Sequence, residues 1–159
     1  MDELKINAYL TFVIKEENYA LNVANVLHIL EMPQITKIPH APDYMSGVMN
    51  LRGEVLPVID TSVKFKQEET EITNTTSILV LDVKVNDIQV KLGAIVDNVL
   101  NVIDSEEKDI LPPPSIGQNY QAQFITGLLP DNSKFIMILD AAKILSVDEL
   151  SDLKQLSEQ

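Results

Sequence analysis

Apolar residues recur at every second position through much of this chain. From Ala8 to Lys15, Tyr9, Thr11 and Val13 alternate with Leu10, Phe12 and Ile14, the pattern of a strand covered on both faces. Glu16-Glu17-Asn18 reads as a turn and Tyr19 to Val23 as the returning strand of a hairpin. The period then changes. Val23, Val26, Leu27 and Leu30 fall at helical spacing, which predicts a short helix from about Ala24 that gives way to strand near His28. Pro33, Pro39 and Pro42 keep Glu31 to Ala41 out of regular helix and leave it as a strand with loops.

Asp43 to Ser46 fits one helical turn closed by Gly47, because glycine tolerates the left-handed conformation that ends helices. Val48 to Leu51 and Glu54 to Ile59 follow as strands, with Gly53 in the tight turn between them. Lys66 to Thr76 is polar and almost free of apolar anchors, and reads as the longest loop. Ser77 to Val85 and Ile88 to Val96 bracket Asn86-Asp87, a two-residue hairpin turn. A second loop-rich region runs from Asp104 through Pro112-Pro113-Pro114 to Gln123. It is followed by a strand pair, Phe124 to Leu129 and Phe135 to Leu139, around Pro130-Asp131-Asn132-Ser133. Ser146 and Glu149 have capping-box spacing ahead of Leu150, Leu153 and Leu156, which predicts an amphipathic C-terminal helix. Nine or ten short strands predict a mainly β protein built as small barrels or a sandwich, with barrels favoured by strand number and shortness.

Composition narrows the function. A chain of 159 residues that is 45% hydrophobic can bury a core as one compact unit or two small, interdependent ones. The formal charge of −12 repels phosphate backbones, so nucleic acid is not an expected partner. Without Cys there is neither a disulfide framework nor a thiolate metal site. Met1-Asp2-Glu3-Leu4-Lys5 starts acidic, and the apolar stretch after it is broken by Lys15, Glu16 and Glu17, unlike a signal peptide. No window approaches the roughly 18 apolar residues of a membrane span. The expectation is a soluble, cytoplasmic protein with no direct membrane insertion.

Candidate chemistry is sparse. His28 and His40 lack the spacing of a metal pair; His40 reads as an exposed loop residue, and His28 as either a partner-facing group or a cap on the short helix. The acidic run Asp104 to Asp109 lacks the central glycine of a calcium loop and reads as a solvated turn. Glu68, Glu69 and Glu71 read as solubilising charge. With five glycines there is no nucleophile elbow, phosphate-cradling loop or dinucleotide fingerprint, so no catalytic residue, cofactor or metal is expected. Two alternatives stay open: an enzyme using carboxylates such as Asp60, Asp97 or Asp140 at strand ends, and a small acidic β-barrel that binds a ligand. The scarcity of aromatic stacking surface weighs against the second. Arg52 is the only arginine beside eleven lysines. Its planar fork can grip a partner's carboxylate or carbonyl while lying on an apolar surface, or it can close its own hairpin onto Glu54. The residues alone support both equally.

The stretch Ala41-Pro42-Asp43-Tyr44, Gly47-Val48-Met49-Asn50-Leu51-Arg52-Gly53 and Pro57-Val58-Ile59-Asp60 resembles the CheW family of bacterial chemotaxis coupling proteins. Tyr19-Ala20-Leu21, Val26-Leu27-His28-Ile29, Leu92-Gly93-Ala94-Ile95-Val96-Asp97-Asn98-Val99 and Phe124-Ile125-Thr126-Gly127 extend the match over about residues 8 to 146. The resemblance implies one domain, residues 1–159, made of two packed, interdependent SH3-like five-stranded β-barrels without catalytic activity. Such proteins are adaptors that join the regulatory domain of the CheA histidine kinase to the cytoplasmic hairpin tips of methyl-accepting chemoreceptors. They are recruited from the cytoplasm to membrane-associated arrays. The match leaves too little chain on either side for a kinase, so a stand-alone coupling protein is expected.

Carried over by position, the receptor-facing groove would use Val26, His28, Ile29, Asn50, Arg52, Val99 and Val102, and the kinase-facing edge Ile35 and Ile38. His28 departs from the family's usual Glu in a Val-x-Glu-Ile stretch, so an acidic contact is replaced by a group whose charge depends on pH. The Lys66 to Thr76 loop has no counterpart role in the family pattern.

Overall fold

A computed structural model describes residues 5–85, 87–113, 124–144 and 149. The alternating pattern becomes ten strands among these residues: β1 (Ile6–Ile14), β2 (Glu17–Asn22), β3 (Val26–Glu31), β4 (Met45–Leu51), β5 (Glu54–Asp60), β6 (Ser77–Val85), β7 (Ile88–Val96), β8 (Asn98–Glu106), β9 (Ile125–Asp131) and β10 (Lys134–Leu139). Two four-residue helices, α1 (Thr61–Lys64) and α2 (Ala141–Ile144), follow β5 and β10.

The strands form two five-stranded sheets, as expected for a mainly β chain. One has the order β8-β1-β2-β10-β9 and the other β3-β6-β7-β5-β4. Thr36 bridges Val48 on β4, and Leu111 bridges Leu128 on β9. In each sheet, therefore, the chain just beyond one edge strand pairs with the opposite edge strand, and the sheet curls toward closure as a small barrel. We call the first sheet barrel A and the second barrel B.

The two barrels repeat one plan. Each has an antiparallel hairpin (β1–β2 or β6–β7), a parallel junction (β2–β10 or β7–β5) and a second hairpin (β9–β10 or β4–β5). Residues 80 positions apart do the same work. The Asp60 amide donates to the Tyr44 carbonyl and the Asp140 amide to the Phe124 carbonyl, both at 2.8 Å. Asp60 and Asp140 then cap α1 and α2 by accepting from the Ser62 and Ala142 amides. Gly47 and Gly127 each sit where a Cβ would run into the bridging segment. Barrel A is nevertheless assembled from the two ends of the chain, and barrel B from its middle.

Packing joins the two. The largest apolar cluster takes Leu10, Phe12 and Leu21 from barrel A and Leu81, Leu92 and Val96 from barrel B, while a smaller cluster lies within each barrel. Four of the aromatics meet at the joint. Phe12 stacks on Tyr19, Tyr19 meets Phe65, and Phe65 stacks on Phe124 with centroids 4.5 Å apart. Burial raises the pKa of the Tyr9 and Tyr19 phenols above 10.0, as expected for hydroxyls on core side chains.

Several local expectations are corrected. The first hairpin turns at Lys15-Glu16, not Glu16-Glu17-Asn18. Both turn residues are left-handed (φ 47° and 68°), and this two-residue geometry matches the strand twist, so Glu17 and Asn18 pair with Ile14 and Val13. The helix expected from Ala24 is a single 3-10 turn, Val23–Asn25, capped by the Asn22 side chain, and strand begins at Val26. Glu31 to Ala41 is loop apart from the end of β3 and the Thr36 bridge. Asp43 to Ser46 is not helical: the Met45 amide closes a turn onto the Pro42 carbonyl and β4 starts there. Gly47 (φ 148°) instead follows the bulge at Ser46 in that strand, where a side chain would overlap the Thr36 carbonyl oxygen. β8 runs through Glu106, two residues past the expected start of the loop-rich region. The Lys66 to Thr76 loop and the hairpin around residues 86–87 match the reading. The C-terminal helix lies outside the described residues except for Glu149, whose carboxylate pairs with Lys64.

Candidate functional site

Strand pairing decides where the candidate residues point. β3 and β8 stand at corresponding edges of their barrels, each with a bulge against its neighbour. On β3, Val26 packs against the shared core, His28 is half-buried opposite Val80, and Ile29 is 49% exposed. On β8, Val99 packs against that same core and Val102 is 57% exposed. Val26 and Val99 are thus brought together as inward-facing members of one core, while Ile29 and Val102 remain on the surface.

The helical reading of residues 23–30 put Val26 and Leu27 on one apolar face. The strand separates them, and Leu27 is 41% exposed. Leu27 and Leu100 are surface apolar residues that the carried-over set missed. The signal for Leu27 was available in the period of two, since Leu27, Ile29 and Glu31 share the outward face of β3.

Asn50 and Arg52 belong to the β4–β5 hairpin tip, at the other end of the strand order in barrel B. The turn residues Arg52 and Gly53 both have positive φ, 52° and 86°. Asn50, not Arg52, closes this turn: its Oδ1 accepts from the Gly53 amide at 2.8 Å. Glu54 lies 3.9 Å from Lys91. Arg52 is exposed and makes no hydrogen bond or ion pair among the described residues, so the hairpin-closing role is not its own.

Ile35 and Ile38 are half-buried in the segment after β3. Ile35 packs against the core of barrel B and Ile38 against the shared core, and both line one groove of about 590 Å³. His40 is exposed with φ 63°, a loop residue as expected.

The carboxylates held open for catalysis have structural work. Asp60 is 3% exposed; its Oδ1 accepts from the Ser62 amide (3.0 Å) and the Thr70 hydroxyl (2.7 Å), and its Oδ2 from the Thr70 amide (2.9 Å). Asp97 Oδ2 accepts from the Lys15 amide at 2.6 Å, and Asp140 caps α2. In the acidic run, Asp104 to Glu106 complete β8, Glu107–Asp109 form a 3-10 turn, and Glu106 pairs with Lys108 at 3.1 Å.

A CheW-like domain model matches residues 8–149. The chain belongs to the CheW family. The CheW chemotaxis protein of Klebsiella aerogenes is 32% identical over 143 residues, covering 90% of this chain and 84% of that relative. The CheW of Treponema pallidum is 31% identical over 146 residues, covering 92% and 86%. The crystal structure of the scaffolding protein TtCheW from Thermoanaerobacter tengcongensis matches with a TM-score of 0.78 at 30% identity, over 91% of this chain and 96% of that one. As a CheW-family member the protein is a chemotaxis scaffold and not an enzyme. No described helix is long and apolar enough to cross a membrane.

Proposed function

We propose that this protein couples the cytoplasmic hairpin tips of methyl-accepting chemoreceptors to the regulatory domain of a CheA-type histidine kinase, within membrane-associated arrays. Receptor contact falls to the exposed apolar side chains of β3 and β8, Ile29 and Val102, with Leu27 and Leu100 beside them. Val26, His28 and Val99 support these strands from behind. Arg52, held out on the tip that Asn50 closes, grips a carbonyl or carboxylate of the receptor helix and fixes its register. Ile35 and Ile38 face the kinase.

The observation that carries this reading is the uncommitted guanidinium of the single arginine in a chain with exposed apolar edge strands. Calorimetric titration with the kinase regulatory domain, and separately with a receptor hairpin fragment, tests it. Saturable binding of both is expected, and Arg52→Ala is expected to weaken the receptor fragment about tenfold at unchanged melting temperature. Failure to bind either the kinase domain or the receptor fragment at high concentration would sink the adaptor reading.

A further inference from the structure

The polar loop between α1 and β6 is pinned to barrel B. Thr70 is 6% exposed and gives both its amide and its hydroxyl to Asp60. The Gln67 amide donates to the Ser62 carbonyl at 2.8 Å, and the Thr76 hydroxyl to the Glu71 carbonyl at 3.2 Å. The Thr75 hydroxyl ties the far end to the Asp97 carbonyl at 3.0 Å. On this fixed backbone stands Ile72, the one apolar residue from Lys66 to Thr76, with 58% of its surface exposed.

Ile72 lines the groove that also holds Met32, Ile35 and Ile38. Asp43 and Glu69 line it as well, and neither forms an ion pair among the described residues. Asp60 is saturated by its own donors, and Lys37 is the only cation in the lining. The groove mixes apolar side chains with more carboxylates than cations, although the Lys15 ammonium also reaches the Glu69 backbone carbonyl at 3.2 Å.

On the adaptor reading, we propose that residues 66–76 form the second wall of the kinase-facing groove. Ile72 is its anchoring contact, and Asp43 with Glu69 select a regulatory domain that presents an apolar side chain flanked by lysine or arginine. An isoleucine displayed on an already ordered backbone needs little further ordering to bind. The rim carboxylates raise the association rate with a cationic partner and make it depend on salt. The receptor surface of β3 and β8 is a separate set of side chains, so the two contacts are separable by substitution.

The test is calorimetry of the full chain and its Ile72→Ser and Glu69→Lys variants against the regulatory domain of the CheA-type kinase from the same organism, and against the receptor hairpin fragment. Ile72→Ser is expected to weaken the kinase domain about tenfold with receptor binding and circular dichroism unchanged. Glu69→Lys is expected to lessen the salt dependence of the kinase contact. Wild-type affinity of Ile72→Ser for the kinase domain overturns the groove proposal and leaves the adaptor reading standing. Absence of kinase binding by the unsubstituted chain overturns both.

Discussion

Asp60 and Asp140 occupy equivalent places in the two barrels and carry unequal loads. Each caps a four-residue helix, but Asp60 also holds Thr70 through two more bonds. Asp60→Ala strands two amides and a hydroxyl in a buried site and is expected to cost roughly 2–4 kcal/mol. Asp140→Ala removes one cap and is expected to cost about 1 kcal/mol. Urea unfolding of the two variants measures the difference, and equal losses would show that the Thr70 bonds add nothing. Arg52 shows the opposite economy. Its left-handed φ of 52° is a conformation that costs an L-residue roughly 1–2 kcal/mol, and the side chain recovers nothing by bonding within the described fold. That φ is what a two-residue hairpin turn requires, as at Lys15-Glu16.

Among elements, the two bulge-facing glycines separate backbone from side-chain constraint. A Cβ at Gly47 meets the Thr36 carbonyl, and its φ of 148° is one that side chains rarely adopt. A Cβ at Gly127 overlaps the Ile110 side chain and meets the Leu111 carbonyl less closely, at 3.2 Å, and its φ is not in the left-handed region. Gly47→Ala is therefore expected to destabilise by at least about 3 kcal/mol and Gly127→Ala by less, about 1–3 kcal/mol, measured as paired melting or urea curves. The reverse order would refute the bridge at Thr36 as the rigid partner. β3 and β8 each expose apolar side chains on a strand whose outer edge lacks a full ladder, and the proposed receptor contact would use that surface.

At the scale of the molecule, barrel A closes only when both ends of the chain are in place, and its core is continuous with that of barrel B. Unfolding is expected as one cooperative transition with calorimetric and van't Hoff enthalpies in agreement. Two separated transitions in a heating scan would refute the interdependence. The 80-residue correspondence also gives two related barrels distinct surfaces: the tip that bears Arg52-Gly53 in barrel B bears Asn132-Ser133 in barrel A. One arginine thereby distinguishes two otherwise similar ends.

The sequence by itself determined the β class, most strand positions, the polar loop and the family, because alternation and turn residues act over a few neighbours. The Asn50 to Gly53 run was legible as a motif for the same reason. Tertiary structure alone decided which strands share a barrel, since the β2–β10 and β5–β7 pairings join segments far apart and no local pattern encodes them. It separated Val26 from Leu27, turned an expected helix at Asp43 to Ser46 into a turn and the start of a bulged strand, and brought Thr70 and Ile72 to the groove of Ile35 and Ile38. Those outcomes rest on burial and hydrogen bonds between distant residues, and such energies exist only once the chain has closed on itself.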